Sequence, residues 1–349
     1  MQHMKFNLIR CIFKVRTLKV AAALMAAAVF CSSCSRSPKR ADERGIYYWK
    51  TVFDMTDADR NFLKEHSINT LYLHLFDVDV ESDYDGTEGP VPIATMRFKS
   101  AMPDSVEIIP AVYITQSAIS CGDKFATQLY ERVKAMSVAG EFEDFHELQL
   151  DCDWTETSRD DYFALCSEVA ELLHADGRTL SSTVRLHQLK DDAPPVDRGV
   201  LMLYNTGSIY DVDEANSIVS LKNVIPYLRD NVNYGVPLSL AFSVYGWNRI
   251  FYDGEFRCLA SKWEMTDTTL YEKVGDNRYV ARQSIEVNGT YLPEGSTVIT
   301  ESSPYGELCE VKALAEKRIT SEIDGCILYH FDLKALDSYA DTQINNLLQ

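Results

Sequence analysis

Apolar and polar residues alternate along most of this chain with two periods, one typical of strands and the other of helices. Eight short runs have strand character, because they are apolar at every second position or throughout. In chain order they are GIYYWKTVF, INTLYLHLFDVD, VEIIPAVYIT, ELQLDCDWT, TLSSTVRLHQL, RGVLMLYNT, PLSLAFSVYGW and GCILYHFD. The helical stretch at 158–177 has Ser158 as its predicted N-cap and Gly177 as its predicted C-cap. Other helical stretches lie at 57–66, 123–139, 215–230, 307–320 and 336–348.

Eight strands with intervening helices predict an α/β fold, a (β/α)8 TIM barrel over 45–349. A doubly wound open sheet is the alternative, but the first strand is not followed by the glycine-rich fingerprint of dinucleotide-binding sheets. The connection at 251–320, between the seventh and eighth strands, contains the hairpin turn signals GDN and NG between β-rich runs. We therefore expect a small antiparallel insertion there, on the face where barrel enzymes keep their active sites.

The N-terminal residues have the composition of an export signal. The segment MQHMKFNLIRCIFKVRTLK holds five basic residues and no acid, and the apolar stretch of 11 residues after it is too short for a good membrane span. The SSC that ends at Cys34 resembles a bacterial lipobox. We expect a lipoprotein signal peptide at 1–33, lipidation of Cys34, and a polar tether at 34–44. Cys31 is the alternative lipid site, and a soluble secreted protein or an uncleaved anchor is the alternative outcome.

The charge of the chain restricts its ligands. Loss of 1–33 would take the net charge from −18 to −23. Such an acidic chain argues against nucleic acid or anionic lipid headgroups as ligands and suits a neutral or cationic one. No zinc-like Cys or His spacing appears, so no metal or cofactor is predicted. Cys258 and Cys309 could pair if the protein is exported, and we expect a lipid-anchored monomer in the cell envelope.

Strand parity indicates which side chains enter the barrel, because successive residues of a strand point to opposite faces. In ELQLDCDW this rule directs Gln149, Asp151 and Asp153 inward and the residues between them outward. In the second strand it directs Tyr72, His74 and Phe76 inward. The polar and aromatic residues that share inward parity near the strand ends are His74, Asp151, Asp153, Arg185, His187, Tyr204, Asn205, Tyr245, Trp247, His330 and Asp332, and Lys50 is a further candidate.

Most of these residues also have a structural interpretation. Asp151 could pair with Arg185 or Lys50 as a buried salt bridge, because a buried charge needs a partner. His74 and His187 could be core histidines, and the aromatic residues could simply fill volume. Glu156 could be a catalytic carboxylate or could lie at a helix start, where a negative charge is favourable. Asp153, at the strand tip, is the strongest candidate for chemistry.

Two resemblances add to this interpretation. The segment LDCDWTE is similar to the fourth-strand motif of family 18 glycoside hydrolases, in which alternating aspartates lead to a catalytic glutamate two residues after the last one. Here Glu156 stands three residues after Asp153, which on a strand turns it to the opposite face. The chain as a whole resembles a group of Bacteroidetes lipoproteins with a glycosidase-like barrel. That resemblance is carried by the lipobox, YYWKTVF, LYLHLFDVD, LQLDCDWT and STVRLHQLK.

The leading hypothesis is a glycoside hydrolase-like lipoprotein that acts on a glycan through two carboxyl groups. Asp153 would be the general acid, and the second carboxylate would be Asp332, Glu156 or Asp151. Tyr245 would assist, as the family resemblance implies. The remaining predicted roles are ring stacking by Trp247 and Tyr204, and hydrogen bonding to the glycan by His74, Arg185, His187, Asn205 and His330.

Two other hypotheses compete with it. A surface lipoprotein with this barrel could bind a glycan without cleaving it, because fold does not establish function. A metal-dependent hydrolase is the third hypothesis, for which Asp and His ligands are available but no HxH pair occurs at the first strand.

Overall fold

A computed structural model describes residues 43–82, 88–120, 122 and 124–349. The predicted signal peptide, Cys34 and nearly all of the predicted tether lie outside the described residues. The first strand begins at Glu43, so it includes the last two residues assigned to the tether.

Eight parallel strands close into a barrel, which confirms the predicted (β/α)8 fold. Each strand pairs with the next one, and closure comes from the first strand, which pairs with both the second and the eighth. In chain order the strands β1 to β8 are Glu43–Tyr48, Thr70–Ser82, Glu107–Ile114, Glu147–Asp151, Thr179–Arg185, Arg198–Met202, Leu238–Ser243 and Ile323–Tyr329.

The helices that surround the barrel form an incomplete layer. In chain order α1 to α7 are Asp57–Glu65, Phe125–Ala139, Arg159–Ala175, Leu221–Val224, Tyr305–Arg318, Leu333–Leu336 and Asp341–Leu347. Two 3-10 helices cover Gln116–Ala118 and Leu186–Lys190. The prediction of one helix over 215–230 is wrong, because only α4 forms there. Pro226 does not continue it, since proline lacks the N–H of a helical hydrogen bond. The predicted closing helix is likewise divided, into α6 and α7.

The two ends of α3 follow the prediction in position. The helix begins directly after Ser158, although the Ser158 hydroxyl makes no capping bond to the helix. The Ser158 hydroxyl instead accepts a hydrogen bond from the Thr155 N–H and donates one to the Gln116 side-chain oxygen. Gly177 follows the helix with φ +71°, the left-handed conformation that glycine adopts without steric cost.

The predicted antiparallel insertion is present between β7 and β8. Its five strands, here called the insertion sheet, are in spatial order Glu255–Ser261, Trp247–Tyr252, Thr297–Glu301, Arg278–Ala281 and Tyr271–Lys273. A separate hairpin pairs Ile285–Val287 with Thr290–Leu292. The insertion sheet starts at Trp247 instead of 251, so the assignment of Trp247 to the tip of β7 is wrong.

Two smaller pairings extend the second strand and the loop after the first. Glu88–Ile93 runs antiparallel to the end of β2, and Val52–Phe53 pairs in parallel with Arg97–Phe98. Within the described residues, no helix is both long enough and apolar enough to cross a membrane.

The predicted strand parity is correct for most of the barrel. In β4 and the residue after it, Leu148, Leu150 and Cys152 pack into the large core between barrel and helices. The assignment of Phe76 to the interior is wrong. The pairing of β2 with β3 shifts register between His74 and Phe76, and this bulge turns the Phe76 ring into the outer core.

The N-terminal end of the barrel is closed by a buried ionic network around Arg198. Its Nη2 lies 2.6 Å from the Glu43 carboxylate and also donates to Ser239, its Nη1 lies 3.5 Å from Glu147, and its Nε lies 3.7 Å from Asp324. The backbones are also close here, because a Cβ on Gly325 would overlap the carbonyl oxygen of Glu43. One guanidinium therefore contacts three carboxylates at the bottom of the barrel.

We predict that Arg198→Met lowers the free energy of unfolding by about 3 to 5 kcal/mol, because it removes a buried cation that three carboxylates contact. Arg257→Met is the control, since Arg257 and Glu255 form an exposed pair worth about 0 to 1 kcal/mol. Urea unfolding at neutral pH measures both changes. Equal losses in the two variants would contradict the structural role of Arg198.

Candidate functional site

Two aspartates share one arginine at the C-terminal end of the barrel. Asp151, the last residue of β4, is 5% exposed and accepts a hydrogen bond of 2.7 Å from the Thr183 hydroxyl. Arg185, at the end of β5, places Nη2 3.8 Å from the Asp151 carboxylate and donates from Nε to Asp153. The sequence allowed either Arg185 or Lys50 as the partner of Asp151, and in the structure the partner is Arg185. Lys50 is exposed and lies over the Tyr48 ring.

Burial changes the proton affinity of groups at this end of the barrel. It raises the pKa of Asp151, and the neighbouring Asp153 adds to that rise, while Arg185 and the Thr183 hydrogen bond oppose it. Tyr113 of β3 pairs in register with Asp151. Burial, followed by the charges of Asp153 and Asp151, raises the pKa of Tyr113 to about 12. The phenol is therefore a hydrogen-bond donor over the physiological pH range.

The other two predicted carboxylates have different surroundings. Glu156 is exposed, in the turn that precedes α3. Thr155 occupies the position two residues after Asp153, where the family 18 motif has its acid. Asp332 accepts a hydrogen bond of 3.1 Å from the Lys334 N–H and so caps α6. The structure thus brings Asp151 and Asp153 together on Arg185, and it gives Asp332 a capping contact.

Five rings form a continuous path across the mouth of the barrel. The path runs from Trp247 to Tyr245 at 5.3 Å between ring centroids, to Tyr329 at 5.9 Å, to Trp49 at 5.9 Å and to His74 at 4.5 Å. The first four rings are partly exposed, and His74 is buried. We call Trp247, Tyr245, Tyr329 and Trp49 the aromatic row.

Tyr204 lies against the aromatic row from the barrel interior. Its ring stacks on that of Tyr329, with the centroids 5.0 Å apart and the planes at 17°. Tyr204 is 4% exposed, and its hydroxyl has no hydrogen-bond partner among the described residues. Burial raises its pKa well above the usual range. Asn205 is exposed and accepts a 2.6 Å hydrogen bond from the Tyr245 hydroxyl.

The three predicted histidines have different positions. His74 is 3% exposed, and its Nε2 lies 2.6 Å from Asp77. His330 lies beside Tyr329 and Tyr245, and burial lowers its pKa to about 4. His187 is exposed, because β5 ends at Arg185 and a 3-10 helix interrupts the strand alternation.

Sequence reasoning missed several residues of this site. Gln188 takes the buried position expected of His187, and its amide donates to the Trp154 carbonyl at 2.9 Å. Trp49 and Tyr113 each stand two residues after an inward residue, so the parity rule also predicts them. In β8 the predicted inward parity of His330 is wrong, because Ile327 and Tyr329 pack in the interior of the barrel. Among the described residues, no three or more His, Cys, Asp or Glu side chains are grouped as metal ligands.

Three solved structures illustrate what the fold resembles. The spore cortex-lytic enzyme SleL of Bacillus cereus matches with a TM-score of 0.51 and 15% identity, over 88% of this chain and 74% of that one. SleL of Bacillus megaterium QM B1551 matches with a TM-score of 0.50 and 11% identity, over 90% and 76%. A chitinase of Chromobacterium violaceum has a TM-score of 0.49 and 12% identity, over 87% and 100%.

The fold is a (β/α)8 barrel similar to that of the two SleL enzymes. At these identities the similarity to the two SleL enzymes concerns the fold alone. No protein-family model matches the chain, and no curated protein matches it. The resemblance to Bacteroidetes lipoproteins therefore stays a prediction.

We predict that His330 makes stability depend on pH between about 6.5 and 4. The unfolded histidine binds a proton near its ordinary pKa and the folded one does not, so acidification favours unfolding in this window. The parent should lose up to about 2 to 3 kcal/mol more than His330→Gln over this range. Urea unfolding at several pH values measures the difference, with exposed His187→Gln as the control. Parallel curves for the parent and His330→Gln would contradict the prediction.

Proposed function

We propose that the mouth of this barrel binds an uncharged glycan and does not cleave it. The observation that carries the proposal is the aromatic row, whose partly exposed rings follow one another at 5.3 to 5.9 Å across the mouth. Aromatic rings offer a large rigid apolar face, and tyrosine and tryptophan add a polar edge. Neighbouring rings of the row are tilted by 53° to 75°, so each ring can offer a face or an edge to one sugar ring, with hydroxyls bound at the polar edges.

The charges around the row support an uncharged ligand. Asp151, Asp153 and Asp77 lie near it, with Arg185 between the first two. These three acidic groups outnumber the two nearby cations, Arg185 and the exposed Lys50 beside Trp49, so an anionic sugar would meet repulsion. A neutral oligosaccharide would avoid that repulsion and could still stack its sugar rings on the aromatic row.

The predicted catalytic carboxylates support binding more than cleavage. Hydrolysis by the usual pair needs two carboxyl groups on opposite sides of the bond, one of which holds a proton. Asp153 is engaged by Arg185, Asp332 caps a helix, and Glu156 is exposed in a turn. Asp151 is buried, with 5% of its surface exposed. Each of the four therefore has a contact or a location that differs from that of an acid facing a bound glycan.

One observation favours a glycoside hydrolase as the second candidate. Burial raises the pKa of Asp151 beside the second carboxylate, Asp153. A carboxyl group whose pKa is raised beside a second carboxyl group is a feature that acid catalysis of glycoside cleavage uses. This candidate requires Asp151 to reach the ligand despite its burial.

We predict that Trp49→Ala weakens binding of cellopentaose or chitopentaose about 10-fold or more, as expected for a central aromatic contact. The purified chain is titrated by calorimetry with both sugars and with an oligogalacturonate of similar length, which should bind more weakly. Trp263→Ala is the matched control, because Trp263 packs in the insertion sheet and donates to Tyr271.

New reducing ends are counted in the same samples. We expect none from the parent. Release by the parent that is lost in both Asp151→Asn and Asp153→Asn would overturn binding without cleavage and establish the hydrolase. Equal affinity of the parent and Trp49→Ala for both neutral sugars would contradict the role of the aromatic row.

The location of the protein is a separate proposal that rests on the sequence. We propose that Cys34 is lipidated and anchors the chain in the cell envelope. Labelled palmitate fed to a bacterial host should enter the parent, and Cys34→Ser should remove the label. Cys31→Ser should retain it. Equal labelling of the parent and Cys34→Ser would contradict anchoring at Cys34.

A further inference from the structure

Glu301 connects the insertion sheet to the mouth of the barrel. It ends the strand Thr297–Glu301 and is 2% exposed. Both carboxylate oxygens are used, since each accepts two hydrogen bonds. The donors are Ser217 N at 2.9 Å and Arg249 Nε at 2.7 Å to Oε1, and Ser217 Oγ at 2.6 Å and Trp247 Nε1 at 2.7 Å to Oε2.

Arg249 extends the same group of contacts to the loop that follows β6. The side chain is fully buried and donates to Glu301. Its remaining nitrogens donate to main-chain carbonyls, with Nη1 at 2.7 Å from Asp211 O and Nη2 at 2.5 Å from Glu214 O. The loop around 208–217 is therefore fixed to the insertion sheet by one ion pair.

Burial of the Arg249–Glu301 ion pair costs hydration free energy. Two charges taken out of water lose hydration, so a buried pair often stabilises no more than apolar residues of the same volume. Apolar residues, however, would offer no acceptor to the Trp247 N–H. A carboxylate at Glu301 does so, and its other three hydrogen bonds fix its own orientation.

Trp247 is the end of the aromatic row that the insertion sheet supplies. Its ring is 5.3 Å from that of Tyr245 and is partly exposed. An exposed ring held only by packing would sample several rotamers, and binding would have to order it. The hydrogen bond to Glu301 removes that freedom before a ligand arrives.

We propose that Glu301 is a positioning residue for ligand binding. Its hydrogen bond holds the Trp247 ring in one orientation at the end of the aromatic row. This inference rests on the proposed glycan binding. Arg249 and Ser217 act through Glu301, by fixing the carboxylate that fixes the ring.

The test compares Glu301→Gln, Trp247→Phe and the double variant with the parent. Glutamine keeps the shape of Glu301, but its amide nitrogen cannot accept a hydrogen bond. The chain has four tryptophans, so an indole N–H spectrum has four resonances, and Trp247→Phe assigns the one of interest. In Glu301→Gln we expect that resonance to shift and its hydrogen to exchange with water faster, while the other three keep their positions.

Affinity for cellopentaose and chitopentaose is measured on the same samples. We expect Glu301→Gln and Trp247→Phe each to bind about 10-fold more weakly than the parent. The double variant should lose little more than either single one, because both changes remove the same hydrogen bond.

Arg198→Met is the matched control. It also breaks a buried ion pair, at the opposite end of the barrel, and should lower stability without changing affinity or the Trp247 resonance. If Glu301→Gln does not fold, Trp247→Phe decides alone, because it keeps an aromatic ring and every contact of Glu301 except this one.

Three results would overturn the proposal. The first is a Trp247 resonance that Glu301→Gln leaves unchanged, and the second is unchanged affinity in Trp247→Phe. The third is an affinity loss in Arg198→Met equal to that in Glu301→Gln, which would make the effect one of general stability. Absence of sugar binding by the parent would instead overturn the proposed function, while the indole exchange would still show whether Glu301 holds the ring.

Discussion

A carboxylate inside a protein needs a cation within reach, and this constraint organises the whole barrel. The chain carries 52 acidic residues against 34 basic ones, so its buried acids compete for few partners. Arg198 pairs with carboxylates at the N-terminal end of the barrel, and Arg185 does so at the C-terminal end. Arg249 pairs with Glu301 in the insertion sheet. Guanidinium suits these positions because it stays charged and offers five donors in a planar fork.

The properties of the mouth follow from this distribution of charge. Arg185 joins β5 to the carboxylates that follow from β4, so two neighbouring strands end in one ion-paired group. The aromatic row then crosses above it, from the insertion sheet to the residue after β1. The ion-paired carboxylates lie at the strand ends, and the rings cross the mouth. This division is typical of a site that orients a ligand by a few polar contacts and retains it by apolar area.

Strand periodicity alone predicted the barrel, because the period of two in a half-buried strand is fixed by backbone geometry. The same rule placed Asp151 and Asp153 inward and, applied to aromatic residues, would have placed Trp49 in the mouth, but in β8 it directed His330 inward in place of Tyr329. It failed for Phe76 and for His187. A bulge and a 3-10 helix change the side on which the following residues emerge, and neither has a distinct sequence signature.

Contacts between distant segments were beyond sequence reasoning. Glu43 was assigned to a tether, yet it lies beside Arg198, which is 155 positions away in the chain. The partners of Glu301 are similarly remote, and no local pattern marks a carboxylate that is to be buried. Cys258 and Cys309 illustrate the same limit, because the sequence left their pairing open and both are free thiols in the structure.

The contacts of Arg249 have a consequence for how this chain can change over evolutionary time. Its nitrogens are satisfied by carbonyl oxygens of Ser208, Ile209, Asp211 and Glu214, which belong to a segment without regular secondary structure. Main-chain carbonyls are present whatever the side chain, so the residue types in this segment are free to drift. The length of this segment is not free to change, because an inserted or deleted residue would move several carbonyl acceptors away from the fully buried Arg249 at once. Related chains that keep this arginine should therefore vary in sequence there and hold the spacing constant.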